Sequence, residues 1–269
     1  MKKTIIPLFA AAALAACGDS YYYQDAQHLR AQGLFLAAAS RYKLFAEKNP
    51  SDPRAPQALF EAAGIYSKEF GLCSESSPLL ERLLRNYPGV SFRNEALGAL
   101  LRCPDYFPVN TAGVWVYGDS QTGGRSARQR FAILEVSSGK SRAENSIYAG
   151  SRLVIKQKRG YAFSGADVIE SLGGFDTIIL RNPPRLGLSW TSHDRGGRVS
   201  FKVEAEGLKI KTRAGEFGNC IKVSRRMAGM PSWIYEYYAP WKGRVLTSVG
   251  GPGFEHRVME LISYEEKTK

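Results

Sequence analysis

From about residue 20 to residue 103 the apolar positions recur at helical spacing. Leu79, Leu80, Leu83 and Leu84 fall on one face of a helix, and Gly and Pro punctuate the runs on either side. The pattern predicts helices over 20–32, 34–48, 54–69, 74–86 and 92–103. The period then falls to two. Val199, Phe201, Val203 and Ala205 interleave with Ser200, Lys202 and Glu204, while Leu208, Ile210 and Thr212 interleave with Lys209, Lys211 and Arg213. Glu206-Gly207 between these runs reads as a hairpin turn. Further strands are predicted at 113–118, 129–137, 152–157, 176–181, 219–226, 233–239, 244–249 and 257–264. Gly-Gly pairs at 123–124, 173–174, 196–197 and 250–251 mark turns. Together they predict a meander of roughly nine to eleven antiparallel strands, a curved sheet or half-open barrel. The stretch Pro104-Asp105-Tyr106-Phe107-Pro108 interrupts both patterns and reads as a linker. The fold class is thus α+β in two domains, helical over 17–107 and antiparallel β over 108–269.

The helical half repeats itself. A shift of about 38 residues places Gly33 on Gly71, Phe35 on Cys73, Ala38 on Ser76, Tyr42 on Leu80, Phe45 on Leu83, Pro50 on Pro88 and Ala58-Leu59 on Ala96-Leu97. Gly33, Phe35, Ala38 and Pro50 resemble the tetratricopeptide repeat, with a few extra residues between units. The Asn-Pro-x-Asp-Pro and Tyr-Pro-Gly linkers resemble the repeats of outer-membrane barrel-assembly lipoproteins and their cell-division relatives. The resemblance implies a short curved helical stack whose concave side binds a protein partner. Cys73 and Ser76 depart from the usual aromatic and Ala of that pattern. In such a hairpin Cys73 and Cys103 meet at the open end, as a disulfide or as two free buried thiols, and the disulfide is expected. Cys220 reads as a small core residue of a strand.

The β half carries phrases of its own: Trp115-Val-Tyr117, the run from Ala214 through Cys220 to Val223, Tyr237-Tyr-Ala-Pro240, and Glu260-Leu-Ile-Ser-Tyr264. These resemble a loosely defined group of bacterial envelope β-domains with little assigned biochemistry. Trp241-Lys242 departs from the Gly-rich turn expected there.

Residues 1–16 follow neither pattern. Lys2 and Lys3 precede an apolar run of about a dozen residues, too short for a bilayer-spanning helix of about 20 residues. Leu14-Ala15-Ala16-Cys17 resembles the lipobox of bacterial lipoproteins. That resemblance implies cleavage before Cys17, a diacylglycerol on its sulfur and an acylated amine, a membrane anchor that is effectively permanent. Gly18 at the second mature position, where Asp would favour inner-membrane retention, implies the outer membrane, facing the periplasm. Gly18 to Ser20 would then be the whole spacer between lipid and first helix.

Charge separates the halves further. The chain carries a formal +12. Residues 18–107 hold ten Lys/Arg against ten Asp/Glu, and residues 108–269 hold twenty-five against fifteen, a net of +10. A basic face there would meet anionic lipid headgroups, lipopolysaccharide or acidic protein, unless the charge is dispersed for solubility. Nucleic acid is not expected as a partner in the periplasm. Nor is catalysis: His28, His193 and His256 form no triad pattern, no Cys or His pair has zinc spacing, and Gly250-Gly-Pro-Gly253 lacks the strand-to-helix setting of a phosphate loop. No metal or cofactor is expected. Trp233, Tyr235 and Tyr237 share one strand face. They read either as core and rim of the sheet or as an apolar groove for an acyl chain or peptide, with Lys222, Arg225 and Arg226 near its mouth. The leading expectation is an envelope scaffold acting through its repeats; the rival is a hydrophobic-ligand binder acting through its β domain.

The lipobox reading has a direct test. Cys17→Ser should leave an uncleaved, unlipidated precursor absent from the lipoprotein fraction. Membrane fractionation with wild-type processing would contradict it.

Overall fold

A computed structural model describes residues 15–137 and 139–266, with side chains from Tyr21 onward. Most of the expected signal peptide, and the Cys17 side chain, lie outside the described residues. The chain divides into two compact units, Met1–Cys103 and Pro104–Lys269.

The first unit is five helices, α1 (Ala15–Ala31), α2 (Phe35–Lys48), α3 (Ala55–Phe70), α4 (Cys73–Asn86) and α5 (Arg93–Leu101), each packed on the next. The backbone of α1 runs through residues 18–20, where a non-helical spacer was expected. The 38-residue equivalences hold in part: Leu59 is buried, whereas its counterpart Leu97 is exposed. Gly33 (φ +76°) and Gly71 (φ +66°) both occupy the left-handed conformation that ends a helix without steric cost. At Gly71 the backbone N–H donates to the Ser67 carbonyl at 3.1 Å and that of Leu72 to the Tyr66 carbonyl at 2.8 Å. Ala38 and Ser76, Tyr42 and Leu80, Phe45 and Leu83, and Ala58 and Ala96 are all buried in one core. The loops correspond too, for the Tyr87 hydroxyl donates to the Pro50 carbonyl at 2.7 Å. The repeat is incomplete, since α5 has 9 residues where α3 has 16. Cys73 and Cys103 are joined by a disulfide, with Cα atoms 5.5 Å apart.

The second unit is one antiparallel sheet of twelve strands: β1 (Gly113–Asp119), β2 (Ala127–Ser137), β3 (Lys140–Ala149), β4 (Arg152–Ser164), β5 (Asp167–Leu172), β6 (Phe175–Leu180), β7 (Ser189–Asp194), β8 (Gly197–Thr212), β9 (Gly215–Met227), β10 (Trp233–Ala239), β11 (Gly243–Gly251) and β12 (Phe254–Glu266). Their order is β6-β5-β4-β3-β2-β1-β12-β11-β10-β9-β8-β7, a meander whose first and last strands pair in the middle. The sheet curls into a nearly closed barrel. Its two edges, β6 and β7, meet without a backbone ladder, and side chains make the bonds instead. The Thr177 hydroxyl donates to the His193 carbonyl at 2.8 Å, Ile178 N–H to the Ser192 hydroxyl at 2.9 Å, and Trp190 Nε1–H to the Ile178 carbonyl at 2.8 Å. These bonds blunt edges that would otherwise template pairing with other chains.

Three expectations are corrected here. Glu206-Gly207 is not a hairpin turn: β8 runs straight through it as one strand of 16 residues, with register shifts on either side and Gly207 at φ +69°. A bulge and a hairpin share the same Gly signal, and the reversal comes later, at Arg213-Ala214. Strands β3, β5 and β7 were missed because Ser, Glu, Asn and Asp at their positions hide the alternation. Residues 104–108 are not a linker but part of the barrel unit. Trp241 N–H donates to the Asp105 carbonyl at 2.6 Å, the Tyr106 hydroxyl to the Asn219 carbonyl at 2.9 Å, and Phe107 rests 4.9 Å from the Tyr161 ring centre. A Cβ at Gly243 (φ +83°) would stand 2.8 Å from Pro108 Cδ, so only glycine lets this segment seat.

The cysteine states follow. Cys220 is buried and burial pushes its thiol up to about 11. In the Cys17→Ser chain, denaturation without reductant should expose one alkylatable thiol, with two more appearing only after reduction. Reduction should lower stability of the helical unit by about 3.6 kcal/mol, the chain-entropy value for a loop of this length. Three reactive thiols before reduction would remove the disulfide.

Candidate functional site

Alternation along the strands sends one set of side chains into the barrel, and that set is not purely apolar. Trp115 and Tyr117 from β1, Gln129 and Phe131 from β2, and Asn145 from β3 line a cavity of about 250 Å³. Arg159 and Tyr161 (β4), Glu170 (β5), Phe201 (β8), Arg225 (β9), Glu236 and Tyr238 (β10) and Arg244 (β11) complete its wall, with Phe107 and Pro108 at one end.

The charges are paired in order. Arg244 donates to Glu236 Oε1 at 3.1 Å and to Gln129 Oε1 at 2.8 Å, and its guanidinium stands 4.7 Å from the Tyr117 ring centre. The Tyr238 hydroxyl donates to Glu236 Oε2 at 2.8 Å. Across the barrel, Arg159 and the Tyr161 hydroxyl both donate to Glu170 Oε1, at 2.6 and 2.7 Å. Arg225 pairs with Asp194. Gln129 Nε2 donates to Asn145 Oδ1 at 2.6 Å, joining β2 to β3.

Burial sets the electrostatics. It would push the Glu236 carboxyl up, but Arg244, Arg225 and the hydrogen bond from Tyr238 outweigh it and hold the group below its ordinary value. Burial raises the Tyr117, Tyr161 and Tyr238 phenols, which stay neutral donors. For Arg244 burial works against the charge, yet Tyr117, Glu236 and Tyr238 raise it further.

Donors outnumber acceptors in this wall. Trp115 Nε1 and the Nε atoms of Arg159, Arg225 and Arg244 are buried with no partner in the protein. A buried donor left without an acceptor costs about 1–3 kcal/mol. All four belong to residues that line the cavity. Aromatic faces of Trp115, Phe131 and Phe201 lie among them.

The residues singled out in the sequence are split by the sheet. Trp233, Tyr235 and Tyr237 sit on the outer face of β10, opposite Ile234, Glu236 and Tyr238. There they form a packed layer. Lys222 Nζ lies 4.0 Å from the Tyr235 ring centre and pairs with Glu255 at 2.5 Å, while the Tyr237 hydroxyl also donates to Glu255. The Arg226 guanidinium covers Trp233 at 3.7 Å. Tyr235 and Tyr237 are buried under these groups, so no open groove exists between them. Arg225 alone of the expected set faces the cavity. The rest of that wall was missed because Glu236 and Arg244 made their face of β10 and β11 look solvated. The available signal was Ile234 and Tyr238 beside Glu236, two apolar residues on the supposedly wet face.

Among the described residues no cluster of His, Cys, Asp and Glu has the arrangement of a metal site, and no helix is long and apolar enough to cross a membrane.

No sequence family matches the chain, and no curated protein matches it. Among solved structures it is similar to a candidate exported protein with a YmcC-like fold from Bacteroides fragilis. Identity there is 13%, the TM-score 0.42, and the match covers 61% of this chain and 100% of that one. A candidate lipoprotein from Parabacteroides distasonis gives 16%, 0.40, 60% and 98%. A hypothetical protein from Chlamydia trachomatis gives 12%, 0.33, 59% and 88%. Similarity this low transfers neither fold nor role.

The interior pair should govern acid stability. A carboxyl held low in the folded state stabilises above its unfolded value, near 4.5, and that contribution fades as pH falls through the folded value. Glu236→Gln should cost about 3–5 kcal/mol at pH 7, because Arg244 loses its counter-charge. It should also flatten the fall in stability below pH 4.5. Urea titrations at neutral and acid pH, followed by Trp fluorescence, read both effects, and an unchanged midpoint would show the pair to be dispensable.

Proposed function

We propose that this chain is a lipid-anchored envelope protein whose β unit binds a small, acceptor-rich polar ligand inside the barrel. The observation that carries the reading is the set of four buried donors without partners around one cavity, at Trp115, Arg159, Arg225 and Arg244. A cavity near 250 Å³ lies at the small end for ligand sites, which run from about 300 Å³ upward. The occupant is therefore of monosaccharide size, with hydroxyl or carboxylate oxygens for the donors and a compact face for the rings. An acyl chain does not suit walls that carry three arginines and two glutamates. The reading is of a binding protein rather than an enzyme. Anchoring rests on the lipobox at Leu14-Ala15-Ala16-Cys17, with diacylglycerol and a further acyl group such as palmitate on Cys17; the outer membrane, facing the periplasm, rests on Gly18.

A second reading concerns the helical unit. The two matched helix pairs, together with exposed Leu34, Leu36, Phe70, Leu72 and Leu97, support a tetratricopeptide-like stack that contacts a protein partner in envelope assembly. It complements the first, since it uses the other unit.

Thermal unfolding of the full Cys17→Ser chain against neutral and acidic monosaccharides and small carboxylates tests the cavity. A ligand present at about 100 times its Kd should raise Tm by roughly 5–10 °C. Arg225→Ala and Trp115→Phe should abolish the shift. A shift that survives both substitutions, or none across the panel, would refute the interior site.

A further inference from the structure

The antiparallel meander sends its connections alternately to the two ends of the barrel. Six of them share one end: β1–β2, β3–β4, β5–β6, β7–β8, β9–β10 and β11–β12. At this end stand Leu153, Val154, Ile155, Phe175, Met230 and Phe254, each 39–59% exposed. They are six of the nine large exposed apolar side chains among the described residues of this unit, the others being Leu134, Leu186 and Tyr264. They come from four separate connections, so they form a ring of tips and not a single patch.

Cations outnumber carboxylates at this end. The six connections contain no carboxylate. Arg125, Arg128, Arg152, Arg195 and Arg198 stand in them or beside them, exposed and in no ion pair among the described residues. Of the flanking carboxylates, Asp119 accepts from Thr122 and Ala127 within its own turn, Asp194 pairs with Arg225, and Glu255 pairs with Lys222, while Asp176 beside Phe175 is exposed and accepts from the Ser171 hydroxyl at 2.6 Å. The opposite end differs, with Glu135, Glu216 and Glu265 exposed near its connections.

We infer that this end of the barrel docks on an anionic phospholipid surface. Interfacial binding combines inserted apolar side chains with cations that meet lipid phosphates, and both are here on one face. Separated apolar side chains fit a planar, deformable surface, whereas a protein partner's packed interface has a contiguous apolar core. The Gly- and Ser-rich turns add no bulk between the tips. The inference does not depend on the lipid at Cys17 or on the cavity: it concerns a second contact that would orient the barrel against a membrane.

The test uses the Cys17→Ser chain beginning at residue 17, which carries neither lipid nor the apolar signal run, in co-sedimentation with vesicles. Phosphatidylcholine containing phosphatidylglycerol should bind it, phosphatidylcholine alone should not, and added salt should weaken the binding. Arg152→Ala with Arg198→Ala should weaken partition about 30-fold, near five-fold for each arginine. Met230→Ser with Phe254→Ser should weaken it as well, including at salt concentrations where the arginine variants differ little from wild type. Leu186→Ser, at the opposite end, should bind as wild type, and all variants should retain the wild-type Tm as evidence of folding. Absence of vesicle binding, equal binding to both compositions, tip variants that bind normally, or an equal loss in Leu186→Ser would each overturn the proposal.

Discussion

Two glutamates and three arginines point into a barrel interior, and each must find its counter-charge there or cost several kcal/mol. Much else in the β unit serves that requirement. Glu236 is usable only because β11 delivers Arg244 at 3.1 Å and β10 itself delivers the Tyr238 hydroxyl at 2.8 Å. Arg244 in turn needs Gln129 from β2, so the pairing of β1 with β12 that closes the meander also completes the network. The Tyr106-Phe107-Pro108 segment covers one end and keeps those charges in a low dielectric. A sheet that opened at the β6–β7 seam would expose Glu170 and Arg159 beside it. The side-chain bonds of Thr177, Ser192 and Trp190 therefore protect the charge pairs as much as the sheet edge.

The helices were legible because their cores are built from one residue class at one spacing. Alanines and leucines at helical intervals bury all around α2, α3 and α4, and Gly33 and Gly71 end helices through a conformation that few other residues adopt. Because the packing positions are shared, the 38-residue register is visible in the order of residues alone. The strands were legible only where the barrel wall separates apolar from polar, as at Val199, Phe201 and Val203. Where the interior is itself charged, alternation misleads. On β10 the larger aromatics, Trp233, Tyr235 and Tyr237, face outward beneath Lys222 and Arg226, and the glutamate faces inward. Period-two reading identifies the two faces correctly and places Tyr235 and Tyr237 in the buried core, but it misses that the opposite face, with Glu236, is buried too.

That omission explains why only Arg225 of the expected binding residues reached the cavity. Its neighbours Lys222 and Arg226 bracket it in sequence, yet cation–π contact holds both at the outer surface, while Arg225 turns in toward Asp194 and Phe201. Sequence proximity grouped three cations that the pleat separates. The other wall residues come from nine different strands, and no local pattern links positions so far apart in the chain.

What separates a structural polar network from a binding one is the balance of donors and acceptors. In the outer layer Glu255 accepts from both Lys222 and Tyr237, and Glu204 from Lys202, Ser224 and Arg226, yet the Arg226 Nε is buried there without a partner. The inner layer has more such donors. The Nε atoms of three arginines and the indole nitrogen of Trp115, all in residues that line the cavity, are buried without a partner. Substituting apolar residues of equal shape would remove that cost, and a barrel selected for stability alone would tolerate such a core well. On the proposed reading, the donors left over around the cavity are completed by another molecule.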